Sequence, residues 1–170
     1  GKTSLIRRFV EDVFDDRHVV TLGAKVTKKE LDVKMPDSGD PMRAILGIWD
    51  ILGQWGLAQF LKDSYFRGAQ GLLAVCDVTR PLTLARLEGW RQAATKVAGQ
   101  IPTYVVANKA DLVEDQQFGE DKVRAFCTRW GSPYLLTSAK TGEGVEEAFR
   151  RLTGLILRAQ FRKMKGFFGG

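Results

Sequence analysis

At 170 residues, with 44% hydrophobic and 27% charged residues, the chain can bury the core of one globular domain, which excludes fibrous and disordered classes. Lys and Arg outnumber Asp and Glu by 26 to 20, a formal net charge of +6. The charges are scattered until the C-terminus, so they fit a nucleotide-binding or merely soluble surface and call for no nucleic acid partner. Cys76 and Cys127 lie in apolar contexts without C-x-x-C spacing, which argues against a disulfide framework or zinc site and for a reduced, cytoplasmic setting. No apolar run reaches the length of a membrane span, and the chain opens inside a motif rather than a signal peptide, as a fragment would.

That motif is Gly1-Lys2-Thr3-Ser4, the back half of the phosphate-binding loop G-x-x-x-x-G-K-[ST], in which backbone N–H groups and a helix N-terminus surround a phosphate. A helix is predicted over Thr3 to Val13, since Leu5, Ile6, Phe9, Val10 and Val13 share one face and Arg7, Arg8, Glu11 and Asp12 face solvent. Phe14 to Gly23 is an exposed loop. Lys25 to Met35 and Arg43 to Trp49 read as two strands joined by the Pro36 to Pro41 hairpin turn. A helix follows from Leu57 to about Phe66.

Beyond this point strands and helices alternate. Leu72 to Cys76 and Thr103 to Ala107 are continuous apolar runs, as parallel strands buried on both faces require, and Tyr134 to Thr137 is a last strand. Helices are expected over Leu82 to Val97, Gly119 to Trp130 and Val145 to about Phe161. This alternation predicts an α/β doubly wound, mostly parallel sheet flanked by helices, with ligands beyond the carboxyl ends of its strands. Asp50, Asn108-Lys109-Ala110-Asp111 and Ser138-Ala139-Lys140 fall at those ends or just beyond.

Together with the opening loop these residues resemble the small GTPases of the Ras superfamily, most closely the Rab-like branch. Trp49-Asp50-x-x-Gly53-Gln54 is similar to W-D-T-A-G-Q, Ser64-Tyr65-Phe66-Arg67-Gly68-Ala69 to S-Y-Y-R-G-A, and Asp77-Val78-Thr79 to D-V-T. The resemblance runs from Gly1 to about Leu157. It implies a P-loop NTPase domain over 1–157, a basic and aromatic tail over 158–170, GTP and GDP as ligands, and Mg²⁺ as cofactor.

For the site, it implies that Gly1, Lys2, Thr3 and Ser4 cradle the phosphates. Thr3 and Thr21 hold Mg²⁺, and Asp50 holds a metal-bound water. Gly53 would sense the γ-phosphate through its backbone N–H, Gln54 orient the attacking water, and Lys2 offset charge on the transferred group. Asp111 would accept guanine N1–H and the exocyclic amine, a donor pair adenine lacks. Asn108 would brace the purine edge and phosphate loop, Lys109 cover the ring face, and Ala139 offer its N–H to guanine O6 with Ser138 and Lys140 as buttresses. Phe14 matches the aromatic that meets the base edge-on; its other reading is a core anchor. Effectors, exchange factors and activating factors are the implied partners.

Departures from the pattern bear on activity. Ile51-Leu52 replaces Thr-Ala, Trp55 follows Gln54, and Val26 stands where Rab proteins carry a phenylalanine, while Trp49 and Tyr65 are kept. The alternative to a working switch is therefore a hydrolysis-deficient GTP- or GDP-binding scaffold. The tail mixes Phe161, Met164, Phe167 and Phe168 with Arg158, Arg162, Lys163 and Lys165, which suits weak contact with an anionic membrane surface; its other reading is a solvated helix end. The family's first, central strand is absent, so an apolar gap is expected between the Arg43–Trp49 and Leu72–Cys76 strands, with poor GTP binding by this piece alone.

Overall fold

A computed structural model describes residues 1–15, 24–51 and 65–168. In chain order these form α1 (Lys2–Glu11), β1 (Ala24–Lys34), β2 (Pro41–Ile51), β3 (Leu72–Asp77), α2 (Pro81–Ala98), β4 (Thr103–Asn108), α3 (Glu120–Trp130), β5 (Tyr134–Thr137) and α4 (Val145–Phe168). The helix expected from Leu57 falls almost wholly outside the described residues.

β3, β4 and β5 form a parallel sheet in that order. Its middle strand shows why the apolar runs are continuous. Val105 and Ala107 point to one side, against Leu84, Leu87, Phe126 and Trp130 of α2 and α3. Tyr104 and Val106 point to the other, against Leu5 and Phe9 of α1 and Phe149 and Leu152 of α4. These four strand residues are at most 1% exposed, so a polar residue in their place would lose its water on either face. Cys76 and Cys127 belong to the first of these cores, where burial pushes their thiols up to about 12 and about 11. Both remain free cysteines.

β1 and β2 form a separate antiparallel hairpin in register from Ala24 opposite Ile51 to Lys34 opposite Pro41. The hairpin does not pair with β3. Between β2 and β3 lies an apolar cleft of about 620 Å³, lined by Leu46 and Ile48 on one edge, Leu73 and Val75 on the other, and Leu152 and Ile156 of α4. This is the gap expected between those two strands.

Three elements differ from the sequence reading by more than one residue at an end. α1 stops at Glu11, because Asp12 turns into the left-handed region, so Val13 lies outside the helix and is 44% exposed rather than on its apolar face. β2 gains residues at both ends, so Asp50 lies within the strand rather than beyond it. α4 continues to Phe168 rather than stopping near Phe161, because no proline or cap interrupts the run of Arg, Lys and Met that follows. At its start Gly144, at φ +67°, has no room for a side chain, since a Cβ would come within 2.8 Å of the Leu136 carbonyl oxygen.

Candidate nucleotide-binding site

The carboxyl ends of the parallel strands finish in one polar row: Asp77 is the register partner of Asn108, and Asn108 of Thr137. The N-terminus of α1 meets this row. Gly1 approaches Asn108 so closely that a Cβ there would sit 2.5 Å from Asn108 Nδ2. Asn108 is 2% exposed and its Oδ1 is held by Thr137 and the Ala139 N–H, so a side chain at position 1 would have to displace a buried, hydrogen-bonded amide.

As a structural helix, α1 has an N-terminus charged against its dipole. It has no side-chain cap and no acidic residue in its first turn, and it starts with a lysine at the positive end of its dipole. An anion reverses that account, because the first-turn N–H groups and the lysine then share one partner. Burial lowers the Lys2 ammonium pKa below its ordinary value, and the Asp50 carboxylate opposes the shift.

Beside it, the Thr3 hydroxyl donates to Asp50 Oδ2 at 2.5 Å. Asp50 is 3% exposed, and its Oδ1 is buried with no hydrogen-bond partner among the described residues. Leaving a carboxylate oxygen dry and unpaired is costly, and a metal-bound water is a donor that would satisfy it. Among the described residues no group of three or more His, Cys, Asp and Glu side chains is placed to hold a metal. Mg²⁺ keeps several waters and shares phosphate oxygens instead of sitting in an all-protein cage, and the Thr3 hydroxyl with the Asp50 carboxylate offers the oxygen donors it takes. The residues present therefore fit the ion.

On the base side, Ser138 Oγ donates to Asp111 Oδ1 at 2.6 Å and so aims the carboxylate. Asn108 Oδ1 accepts from Thr137 Oγ1 at 3.2 Å and from the Ala139 N–H at 3.1 Å. Lys109 adopts φ +69°, and its Nζ lies 2.8 Å from Asp77 Oδ2. Burial works to raise the Asp77 pKa, but the Lys109 and Thr79 hydrogen bonds outweigh it and hold the carboxyl below its ordinary range. Phe14 is half-buried and packs against the core cluster containing Phe9 and Phe149. The Lys140 side chain is exposed, whereas its carbonyl is engaged by Arg8. Thr21, Gly53 and Gln54 lie outside the described residues.

Asp77 and Thr137 were missed as site residues, although each is a polar residue closing an apolar strand. Arg8 corrects the expectation of a solvent-facing side chain. It is 18% exposed and turned onto the loop after β5, where its Nε donates to the Ala139 carbonyl at 2.9 Å. Asp77→Asn is expected to lower the melting temperature by about 2 °C, the scale of a half-exposed ion pair. Because the folded pKa is depressed, the stabilisation is complete above about pH 4 and is lost as pH falls through the folded value. Thermal melts of both forms at neutral and acid pH check this; a deficit that persists in acid would refute the ion pair as its cause.

A parallel sheet with helices on both faces and an anion-seeking helix terminus at its strand ends defines a P-loop nucleotide-binding protein. The Ras family profile matches residues 1–158. Curated relatives include the mouse Ras-related protein Rab-15, 29% identical over 98% of this chain and 76% of the relative. The Ras-related protein Rab-1D of Dictyostelium discoideum is 32% identical over 88% of the chain and 70% of the relative. The GTP-binding protein yptV5 of Volvox carteri is 35% identical over 93% and 77%. The chain belongs to the Ras family and is a Rab-like small GTPase. Proteins of this family are nucleotide-dependent switches that generally use Mg²⁺ and meet regulators and effectors.

Proposed function

We propose that this chain holds GTP with Mg²⁺, hydrolyses it slowly to GDP and phosphate, and signals through the loops around Thr21 and Gln54. The observation that carries the reading is the Thr3–Asp50 pair beside Lys2, with one carboxylate oxygen buried and unsatisfied among the described residues. That arrangement is unfavourable in a resting structural core and is resolved when a hydrated cation and a polyphosphate arrive together.

In this reading Thr3 and Thr21 hold the Mg²⁺, which offsets charge on the β- and γ-phosphate oxygens when bound. Lys2 and the N–H groups of Gly1 to Ser4 take the remaining phosphate charge, Gly53 donates its N–H to the γ-phosphate, and Gln54 orients the attacking water. Asp111, Asn108, Lys109, Ser138 and Ala139 select guanine. Loss of the γ-phosphate releases Thr21 and Gly53, which is how hydrolysis reaches the effector. Val26 and Trp49 are register partners in the hairpin and are 54% and 51% exposed, an apolar pair on which a partner could pack. The primary test is equilibrium binding of GTP and ATP to the full-length protein with Mg²⁺. Tight, guanine-selective binding is expected; equal affinity for the two nucleotides would overturn the proposal.

The end of α4 supports a second contact. Arg158, Arg162, Lys163 and Lys165 are exposed, as is Met164 at 55%, and Lys165 Nζ reaches Asp37 Oδ2 of the hairpin turn at 2.8 Å. No helix among the described residues is long and apolar enough to cross a membrane. A basic helix end carrying an exposed methionine fits the surface of an anionic bilayer. Sedimentation with vesicles should show weak binding that requires phosphatidylserine and falls by roughly thirtyfold or more in Arg162→Glu/Lys163→Glu, since each basic residue near such a surface contributes about 1 kcal/mol. Equal binding to neutral vesicles would reject the contact.

A further inference from the structure

Arg8 lies outside every role set out above, yet it bridges the two halves of the site. It leaves α1 one turn before the helix ends and reaches across to the loop after β5. Nε donates to the Ala139 carbonyl at 2.9 Å and Nη2 to the Lys140 carbonyl at 2.6 Å. Its remaining donor, Nη1, closes back on its own helix end, at 3.1 Å from the Asp12 carbonyl and 3.0 Å from Asp12 Oδ1. Asp12 is in the left-handed region at φ 54°, and its N–H bonds the Arg8 carbonyl at 3.0 Å, so Arg8 also holds the residue from which the chain turns toward Phe14.

The consequence falls on Ala139. Asn108 Oδ1 holds its N–H at 3.1 Å from the strand side, and Arg8 holds its carbonyl from the helix side. The loop beyond is closed on itself, with the Gly142 N–H on the Ser138 carbonyl at 2.8 Å and the Thr141 N–H on Ser138 Oγ at 3.0 Å. Two peptide groups of the base loop are thus oriented by one guanidinium, in a planar fork that a lysine cannot reproduce.

We propose that Arg8 is a positioning residue for the base-binding loop: it staples the phosphate-bearing helix to Ala139 and Lys140, and so sets both how tightly guanine O6 is read and how slowly nucleotide leaves. The inference rests on the guanine-site reading of the preceding section. It predicts coupling between the phosphate half and the base half, because α1 carries Lys2 and Thr3 at one end and the staple near the other.

The test uses the full-length protein, Mg²⁺ and fluorescent GDP, with the parent, Arg8→Ala and Arg8→Lys. GDP release is expected to accelerate roughly tenfold in Arg8→Ala, the scale of losing charge-assisted hydrogen bonds. Arg8→Lys should fall between, since one ammonium cannot span both carbonyls and Asp12. The discriminating measurement is base selectivity. The affinity ratio of GDP to a 2-aminopurine nucleoside diphosphate, which lacks O6, should fall in Arg8→Ala, while the ratio of GDP to inosine diphosphate, which keeps O6, should hold. A uniform loss for all three nucleotides would mean only that α1 is weakened and would overturn the proposal, as would unchanged release. Should Arg8→Ala fail to fold, Arg8→Lys carries the same comparison. Failure of the underlying reading looks different: the parent itself would show no preference for GDP over ADP.

Discussion

Replacing Asp111 with asparagine is expected to turn the base preference from guanosine toward xanthosine nucleotides. The parent carboxylate accepts from N1–H and from the exocyclic amine of guanine. An amide keeps one acceptor for N1–H and presents an N–H, which clashes with the guanine amine and suits the xanthine carbonyl. A hydrogen bond to a charged group contributes about 1.5–3 kcal/mol and a neutral one about 1 kcal/mol, so losing the bond to the amine and the charge behind the other should weaken GTP binding by roughly 10² to 10³-fold. Ser138 Oγ, at 2.6 Å from Asp111 Oδ1, fixes the carboxylate in place, so Ser138→Ala should act in the same direction but more weakly. Competition titrations of guanosine, xanthosine and inosine triphosphates decide the matter. An Asp111→Asn protein that still prefers GTP by the parental margin would show that guanine is not read there.

The second large effect is expected at Gln54. In the parent, single-turnover release of phosphate should proceed on the order of 10⁻⁴ per second, the range of Ras-type sites lacking an arginine supplied by a partner. Gln54→Ala should slow it by roughly tenfold or more, the scale of losing the orientation of an attacking water, with GTP affinity little changed. In sequence, Ile51-Leu52 and Trp55 flank this position with bulkier residues than the Thr-Ala and acidic residue of the Rab-like pattern. The experiment therefore separates the two functional readings. Parent protein that binds GTP tightly yet releases no phosphate is a scaffold; parent protein whose slow turnover depends on Gln54 is a switch.

Much of the architecture was legible because its causes are local. Apolar runs such as Thr103 to Ala107 can only be strands buried on both faces, and the structure places Tyr104 and Val106 in one core and Val105 and Ala107 in the other. The site motifs were legible for a similar reason. Each is a short run of neighbouring residues at or near the end of a strand or the start of a helix, so order and spacing suffice to find them. In the structure Asn108 bonds Thr137 and the Ala139 N–H, and Asp111 accepts from the Ser138 hydroxyl.

What could not be read depends on partners distant along the chain. Helical spacing puts Arg8 on the polar face of α1, and only the folded chain shows that this face meets the base loop, 131 residues away. In sequence Asp77 is part of a family motif without a task, and its ion pair with Lys109 exists only in the folded chain. The isolation of Asp50 Oδ1 is likewise a property of packing, because burial that strands one carboxylate oxygen leaves no trace in sequence.

The sequence by itself determined the order of strands and helices and the chemical kinds of residue at the strand ends, since periodicity and turn chemistry act over a few residues. Only the tertiary structure decided which of those residues touch. It drew Asp77, Asn108 and Thr137 into one row, turned Arg8 inward, and left β2 and β3 on opposite sides of an apolar cleft. Hydrogen bonds between side chains are made at about 3 Å, and that precision is set by the packing of the whole sheet and its helices.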